Sequence, residues 1–344
     1  IPPATIAAPA QPALADVARL AAMLRGAERP IILAGHAIDT EGGREALLAF
    51  AEAWQTPVAV SFRRQDLFPN DHALYAGDLG LRNPDAQRAA FADADLVVAL
   101  GTRLTDITTQ GWTWPAPGQR LAHICAEPRF LGWHFPAELA VAADARAVLA
   151  ALGAEKPAAP ASRGAWAKKL RDLQTADSQV AATTHNDGVA FARIAKLIGE
   201  IAAPDAMIAL DAGTFGAPFY RKIAWVSPRR LLAPVAGSMG FGVPAGVAAA
   251  LRHPNRQVIA LVGDGGAFMT GGEFAVAVAR GLGARIPQAG VPGPLVRVAQ
   301  RVHGWTLRLP PAQRGIPIGL ATPLLPCGWL YAFAAIAAGS ASPA

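Results

Sequence analysis

With 344 residues, 52% of them hydrophobic and only 16% charged, the chain has room for two domains and no shortage of apolar side chains for their cores. Two cysteines, Cys125 and Cys327, exclude a disulfide framework and a clustered cysteine metal site, which fits a reducing, cytoplasmic setting, and no signal peptide is read after Ile1. The net charge of +6 does not describe a nucleic-acid groove: Arg285, Arg297, Arg301, Arg308 and Arg314 follow Glu273, the last acid, and leave the rest of the chain near neutral.

In chain order, the Pro/Ala-rich residues 1–13 read as a linker, and Leu14 to Leu24 carries apolar residues at helical spacing. Pro30 to Gly35 predicts a buried strand, Gly43 to Trp54 a helix and Pro57 to Val60 a second strand. Arg63 to Gly80 reads as a long polar loop and Pro84 to Phe91 as a helix. Asp95 to Gly101, Arg120 to Ile124 and Leu139 to Ala142 read as further strands, and Asp144 as the N-cap of a helix reaching Leu152. Residues 156–184 read as a second linker with helical character from Trp166 to Leu173. Asp187 to Ile201 predicts an amphipathic helix, Ala206 to Leu210 a strand ending at Asp211, and Leu231 to Pro234 a short strand. Apolar strands alternating with helices imply an α/β fold of two doubly wound, Rossmann-like parallel-sheet units, the second truncated, with a hydrophobic C-terminal tail.

The chain is organised around two glycine turns. Gly237-Ser238-Met239-Gly240 leads into a small-residue helix, Val243 to Leu251, and a buried strand, Gln257 to Val262. The chain then turns at Gly263-Asp264-Gly265-Gly266 into a helix from about Thr270. A strand, a glycine turn and a helix N-terminus offer free amide groups to an anion. A carboxylate beside that anion calls for a cation between them, and Mg²⁺ with its oxygen ligands meets that need.

This pair of turns resembles the diphosphate half of thiamine-diphosphate-dependent enzymes, in particular the acetolactate synthase-like group, and the likeness runs from about Ala27 to about Gly283. The resemblance implies thiamine diphosphate and Mg²⁺ as cofactors and a 2-oxo acid as substrate. It puts Asp264 on the metal, Gly263, Gly265 and Gly266 on the diphosphate, and Gly237, Ser238 and Met239 at the aminopyrimidine. Gly213 and Thr214, at the carboxyl end of their strand, are placed near the diphosphate. Residues 14–155 resemble the family's central domain, through Phe68 to His72, Gly77 to Gly80 and Ala99 to Arg103; acetolactate synthases hold FAD there, many relatives hold nothing, and no residue here decides between them. Residues 185–283 are then a truncated cofactor-binding domain, and the parent family works as homo-oligomers.

The likeness breaks after the helix beyond Thr270. The second metal ligand, expected at about residues 288–295, has no counterpart in Gln288 to Leu295, and the last asparagine is Asn255. Residues 284–344 have no acid and nine prolines within the last sixty residues. Within them Gly315 to Ala338, with Leu324-Leu325-Pro326-Cys327-Gly328, resembles a transmembrane segment of sulfite-exporter or urease-accessory-like membrane proteins, and residues 315–338 are long enough as a helix to span a bilayer. The family's activating glutamate lies in a domain ahead of the central one, so no catalytic residue is assigned, and the chain alone is expected to bind the cofactor weakly or not at all and to be inactive. Two rivals stand beside this reading: a membrane-anchored fusion carrying a non-catalytic α/β part, and a nicotinamide-nucleotide-binding module. Against the latter, Gly35-His36-Ala37-Ile38 is no Gly-x-Gly-x-x-Gly turn.

Overall fold

The computed structural model describes residues 8–180 and 190–279. The chain divides into two compact units, residues 1–208 with 214–231, and residues 209–213 with 232–344.

The first unit opens with α1 (Leu14–Gly26), β1 (Pro30–Ala34), α2 (Gly43–Trp54), β2 (Val58–Val60) and β3 (Tyr75–Asp78). It continues with α3 (Asp85–Ala92), β4 (Leu96–Leu100), β5 (Arg120–Ile124), β6 (Leu139–Val141), α4 (Ala145–Leu152) and α5 (Ser162–Ser178). The six strands form one sheet in the order β3-β2-β1-β4-β5-β6, and each neighbouring pair runs parallel. The apolar runs of β1 and β4 lie side by side at its centre, from Pro30 opposite Leu96 to Ala34 opposite Leu100. Because side chains alternate across a strand, β1 sends Ile32 and Ala34 to one core and Ile31 and Leu33 to the other. The first core is closed by Leu20 and Leu24 of α1, Phe50 and Trp54 of α2 and Leu149 and Leu152 of α4, the second by Phe91 of α3 and Trp166 and Leu170 of α5. Cover on both faces is what a parallel sheet requires, since its strands read as continuous apolar runs.

Several sequence expectations change here. Within the stretch read as the Arg63–Gly80 loop, Tyr75–Asp78 forms edge strand β3, whose register slips between Val58 and Ala59 of β2. Gly77 and Asp78 weaken the strand signal, and pairing to β2 overrides it. Asp144 caps α4 as expected, accepting the Ala147 amide at 2.9 Å. The 156–184 stretch is more than a linker, because α5 occupies seventeen of its residues and buries Trp166 and Leu170 against the sheet. Arg163 shows why α5 docks there. Its buried guanidinium donates to the carbonyls of Leu24, Ala27 and Trp54, the open carbonyl ends of α1 and α2.

Downstream lie α6 (Phe191–Ile201), β7 (Met207–Leu210), α7 (Ala217–Lys222), β8 (Arg230–Leu232), α8 (Gly242–Arg252), β9 (Val258–Leu261), α9 (Asp264–Met269) and α10 (Gly272–Ala279). β8, β7 and β9 form a three-stranded sheet in that order. α8 packs closely on β9, since a Cβ added to Gly246 would come within 3.1 Å of the Ala260 Cβ. The Gln257–Val262 strand is expected to be buried, yet none of β9 is, and Ala260 is exposed. An apolar run shows that a strand wants cover, not that cover is present. The helix expected from about Thr270 is α10, which starts at Gly272, and the glycine turn ahead of it, read as a turn, winds into the short helix α9. The stretch at 288–295, read as lacking the second metal ligand, and the candidate membrane span at 315–338 fall outside the described residues, among which no helix is long and apolar enough to cross a membrane.

Candidate functional site

The two glycine turns come together within the second unit. Gly237 and Gly240 both hold left-handed backbone, at φ +77° and +86°, which a side chain would strain. A Cβ on Gly240 would also lie 3.2 Å from Met269 and Thr270, so this turn sits directly against the end of α9. Met239 bridges the turns from the other side, for a Cβ on Gly265 would lie 2.9 Å from its Cε. Gly237, Ser238 and Met239 are exposed, as are Gly213 and Thr214.

Asp264 stands at the first position of α9, exposed, with Oδ1 accepting the Gly265 amide at 2.8 Å. A carboxylate there complements the helix dipole. The donor chemistry fits one corner of a magnesium–diphosphate site: a hard anionic oxygen beside first-turn amides and a glycine-lined cradle. Among the described residues no three His, Cys, Asp or Glu side chains gather as a metal site, so Asp264 is a lone candidate ligand there.

The residue that joins this site together was not singled out from the sequence. Asp211, at the end of β7, is 1% exposed. Its Oδ1 accepts the amides of Ala212 at 2.8 Å and Phe241 at 3.1 Å, and its Oδ2 accepts that of Gly240 at 3.0 Å. A Cβ on Gly266 would fall 2.0 Å from the same Oδ2, and one on Gly242 would fall 3.0 Å from the Asp211 Cβ. The one sequence signal was a carboxylate closing an apolar strand just ahead of a glycine.

Other candidates resolve as structural. Trp114 is buried and donates to the Phe91 carbonyl, plugging the loop against the sheet, whereas Trp112 is half exposed and stacks on His134 at 3.9 Å. Cys125 is buried. His123 is buried on β5, with Nε2 2.9 Å from the Thr102 carbonyl, and burial lowers its pKa. Asp39 and the buried Asp66 share the guanidinia of Arg44 and Arg230. Burial pushes the Asp39 carboxyl up, but those two arginines outweigh it and hold it below its usual range. Asp78 goes the other way: burial raises it more than its ion pair with Arg221, at 3.2 Å, pulls it down.

Fold and site together define an α/β protein with a parallel, two-face-covered sheet and, in its second unit, a double glycine turn set for an anionic ligand. Residues 17–152 match the family described as the thiamine pyrophosphate enzyme central domain, and residues 211–286 match the thiamine pyrophosphate enzyme C-terminal TPP binding domain. Both matches are to domains of thiamine pyrophosphate enzymes. It is 29% identical over 263 residues to the acetolactate synthase large subunit of Lactococcus lactis, covering 75% of this chain and 45% of that protein. It is 30% identical over 273 residues to a sulfoacetaldehyde acetyltransferase of Rhodobacter capsulatus, covering 72% and 46%. It is 32% identical over 262 residues to a probable 2-ketoarginine decarboxylase of Pseudomonas aeruginosa, covering 74% and 44%. The chain thus spans less than half the length of each of these relatives.

Proposed function

We propose that this chain carries the diphosphate and metal end of a thiamine-diphosphate- and Mg²⁺-dependent enzyme that makes or breaks C–C bonds in 2-oxo acids, in an acetolactate synthase-like manner. The observation that carries the reading is the contact between the two glycine turns, with Asp264 at the head of α9. Thiamine diphosphate, when bound, supplies the carbon nucleophile and the electron sink for chemistry beside a carbonyl. The protein's part is to hold and orient it. Asp264 would take the metal; Gly263, Gly265 and Gly266, with Gly213 and Thr214, would take the diphosphate; and Gly237, Ser238 and Met239 would line the aminopyrimidine. We place the central domain at 14–155 and the cofactor domain at 185–283, and expect assembly as a homo-oligomer, as in the parent family.

The order β3-β2-β1-β4-β5-β6 is also that of dinucleotide-binding sheets. Fold alone does not assign a ligand, and the turn after β1 lacks the glycine pattern such sites use.

Calorimetry of the full chain with thiamine diphosphate, with and without Mg²⁺, tests the assignment. Weak binding that requires Mg²⁺ and disappears in Asp264→Ala is expected. Binding that Asp264→Ala leaves intact, or no Mg²⁺-dependent binding by the unaltered chain, rejects it.

A further inference from the structure

We propose that Asp211 is the positioning residue of this site: its buried carboxylate holds the Gly237–Gly240 turn at a fixed distance from the first turn of α9. The inference rests on the proposed function only for what the turn holds; the tether itself is a matter of geometry.

Three amide donors converge on the two oxygens of one side chain that is almost fully buried, and among the described residues no basic side chain pairs with it. A carboxylate suits this place because it accepts at every lone pair and donates at none. An asparagine of the same shape would turn an NH₂ group towards the Gly240 amide or towards the amides of Ala212 and Phe241. Either way a buried donor would meet a donor, and at least one amide would lose its partner. The bonds from Gly240 and Phe241 come from residues 29 and 30 positions further along the chain, so the side chain pins the end of β7 to the entrance of α8. α9 is held from the third direction. Gly266 passes so close to Oδ2 that its missing side chain is already accounted for by Asp211, without any ligand.

Two consequences sharpen the site. The amides of Gly240 and Phe241 point inward and are already used, so a ligand on this turn meets Gly237, Ser238 and Met239, the exposed members. Gly266 serves as a spacer between α9 and the carboxylate.

The test is site-resolved amide hydrogen exchange on the full chain, comparing the unaltered protein with Asp211→Asn and with Gly266→Ala. The second variant displaces the carboxylate without removing it. In both, exchange at Gly240 and Phe241 should rise by about tenfold or more, while the amides of β9 keep their protection. Unchanged exchange at Gly240 and Phe241 overturns the proposal. So does an equal rise across β9 and α8, because Asp211 would then be a general stabiliser of the unit. Repeating the measurement with thiamine diphosphate and Mg²⁺ separates this claim from the one above. Added protection over 237–241 in the unaltered protein that Asp211→Asn abolishes supports both. If the cofactor protects nothing yet the variants still loosen the turn, the cofactor assignment fails and the tether stands.

Discussion

The two sheets reach order by different means. In the six-stranded sheet, β1, β2, β3 and β4 are buried along their whole length between two apolar cores, so position follows from packing. In the three-stranded sheet, β9 is only partly covered, and the turns beside it are placed by a single carboxylate. Apolar packing is tolerant of detail but sensitive to lost volume, whereas a buried polar tether is indifferent to volume and intolerant of changed donors. The same chain therefore shows two sensitivities, and substitutions can separate them.

The largest effect should come from volume. Trp54→Ala empties one of the most deeply buried side chains of the first core and should cost about 3–5 kcal/mol. Ile259→Ala on half-covered β9 should cost less than about 1 kcal/mol. Urea denaturation followed by far-UV circular dichroism measures both, and equal losses would erase the contrast. Next in size is Arg163→Met, which keeps the stem but removes the donors to the carbonyls of Leu24, Ala27 and Trp54; a loss of roughly 2 kcal/mol is expected in the same experiment. Gly240→Ala forces a side chain into left-handed backbone 3.2 Å from Met269 and Thr270, at a cost of about 1–2 kcal/mol, and should loosen the second unit while leaving the amide protection of β1 and β4 untouched.

A smaller effect is acid sensitivity through His123. Burial lowers its folded pKa below the unfolded value of about 6.5, so the unfolded chain takes up the proton first. Its contribution is complete above the unfolded pKa and is lost as pH falls through the folded one. His123→Gln retains a donor for the Thr102 carbonyl and does not titrate. The loss of stability between pH 7 and pH 5 should therefore be shallower in that variant, and an unchanged slope would mean that His123 plays no part. Smallest of all, Asp264→Ala at an exposed helix start should move stability by no more than about 0.5–1 kcal/mol, setting its ligand role apart from any structural one.

What could be read from the sequence follows the same division. The apolar runs at Ile31–Leu33 and Val97–Leu100 announce strands because their burial is written into the residues themselves. The two glycine turns are visible because glycine marks unusual backbone. Strand β3 escapes, since Gly77 and Asp78 argue against a strand and only pairing with β2 makes one. The start of α9 escapes too, because Gly265-Gly266 looks like a turn until Asp211 is seen to need that space. Asp211 is hidden for a related reason: its partners are backbone amides, which every residue has, so nothing in their identity points back to it.

Arg163 sets where the first unit can be cut. The central-domain match ends at residue 152, and a fragment ending there would contain every strand of the six-stranded sheet. It would nevertheless lack the guanidinium that ties the carbonyl ends of α1 and α2 together, and leave the second core open where Trp166 donates to the Pro30 carbonyl. A free-standing form of this sheet should therefore reach at least Ser178, the end of α5. Expressed side by side, residues 8–152 should be recovered as a loosely folded or insoluble chain, and residues 8–180 as a cooperatively melting one.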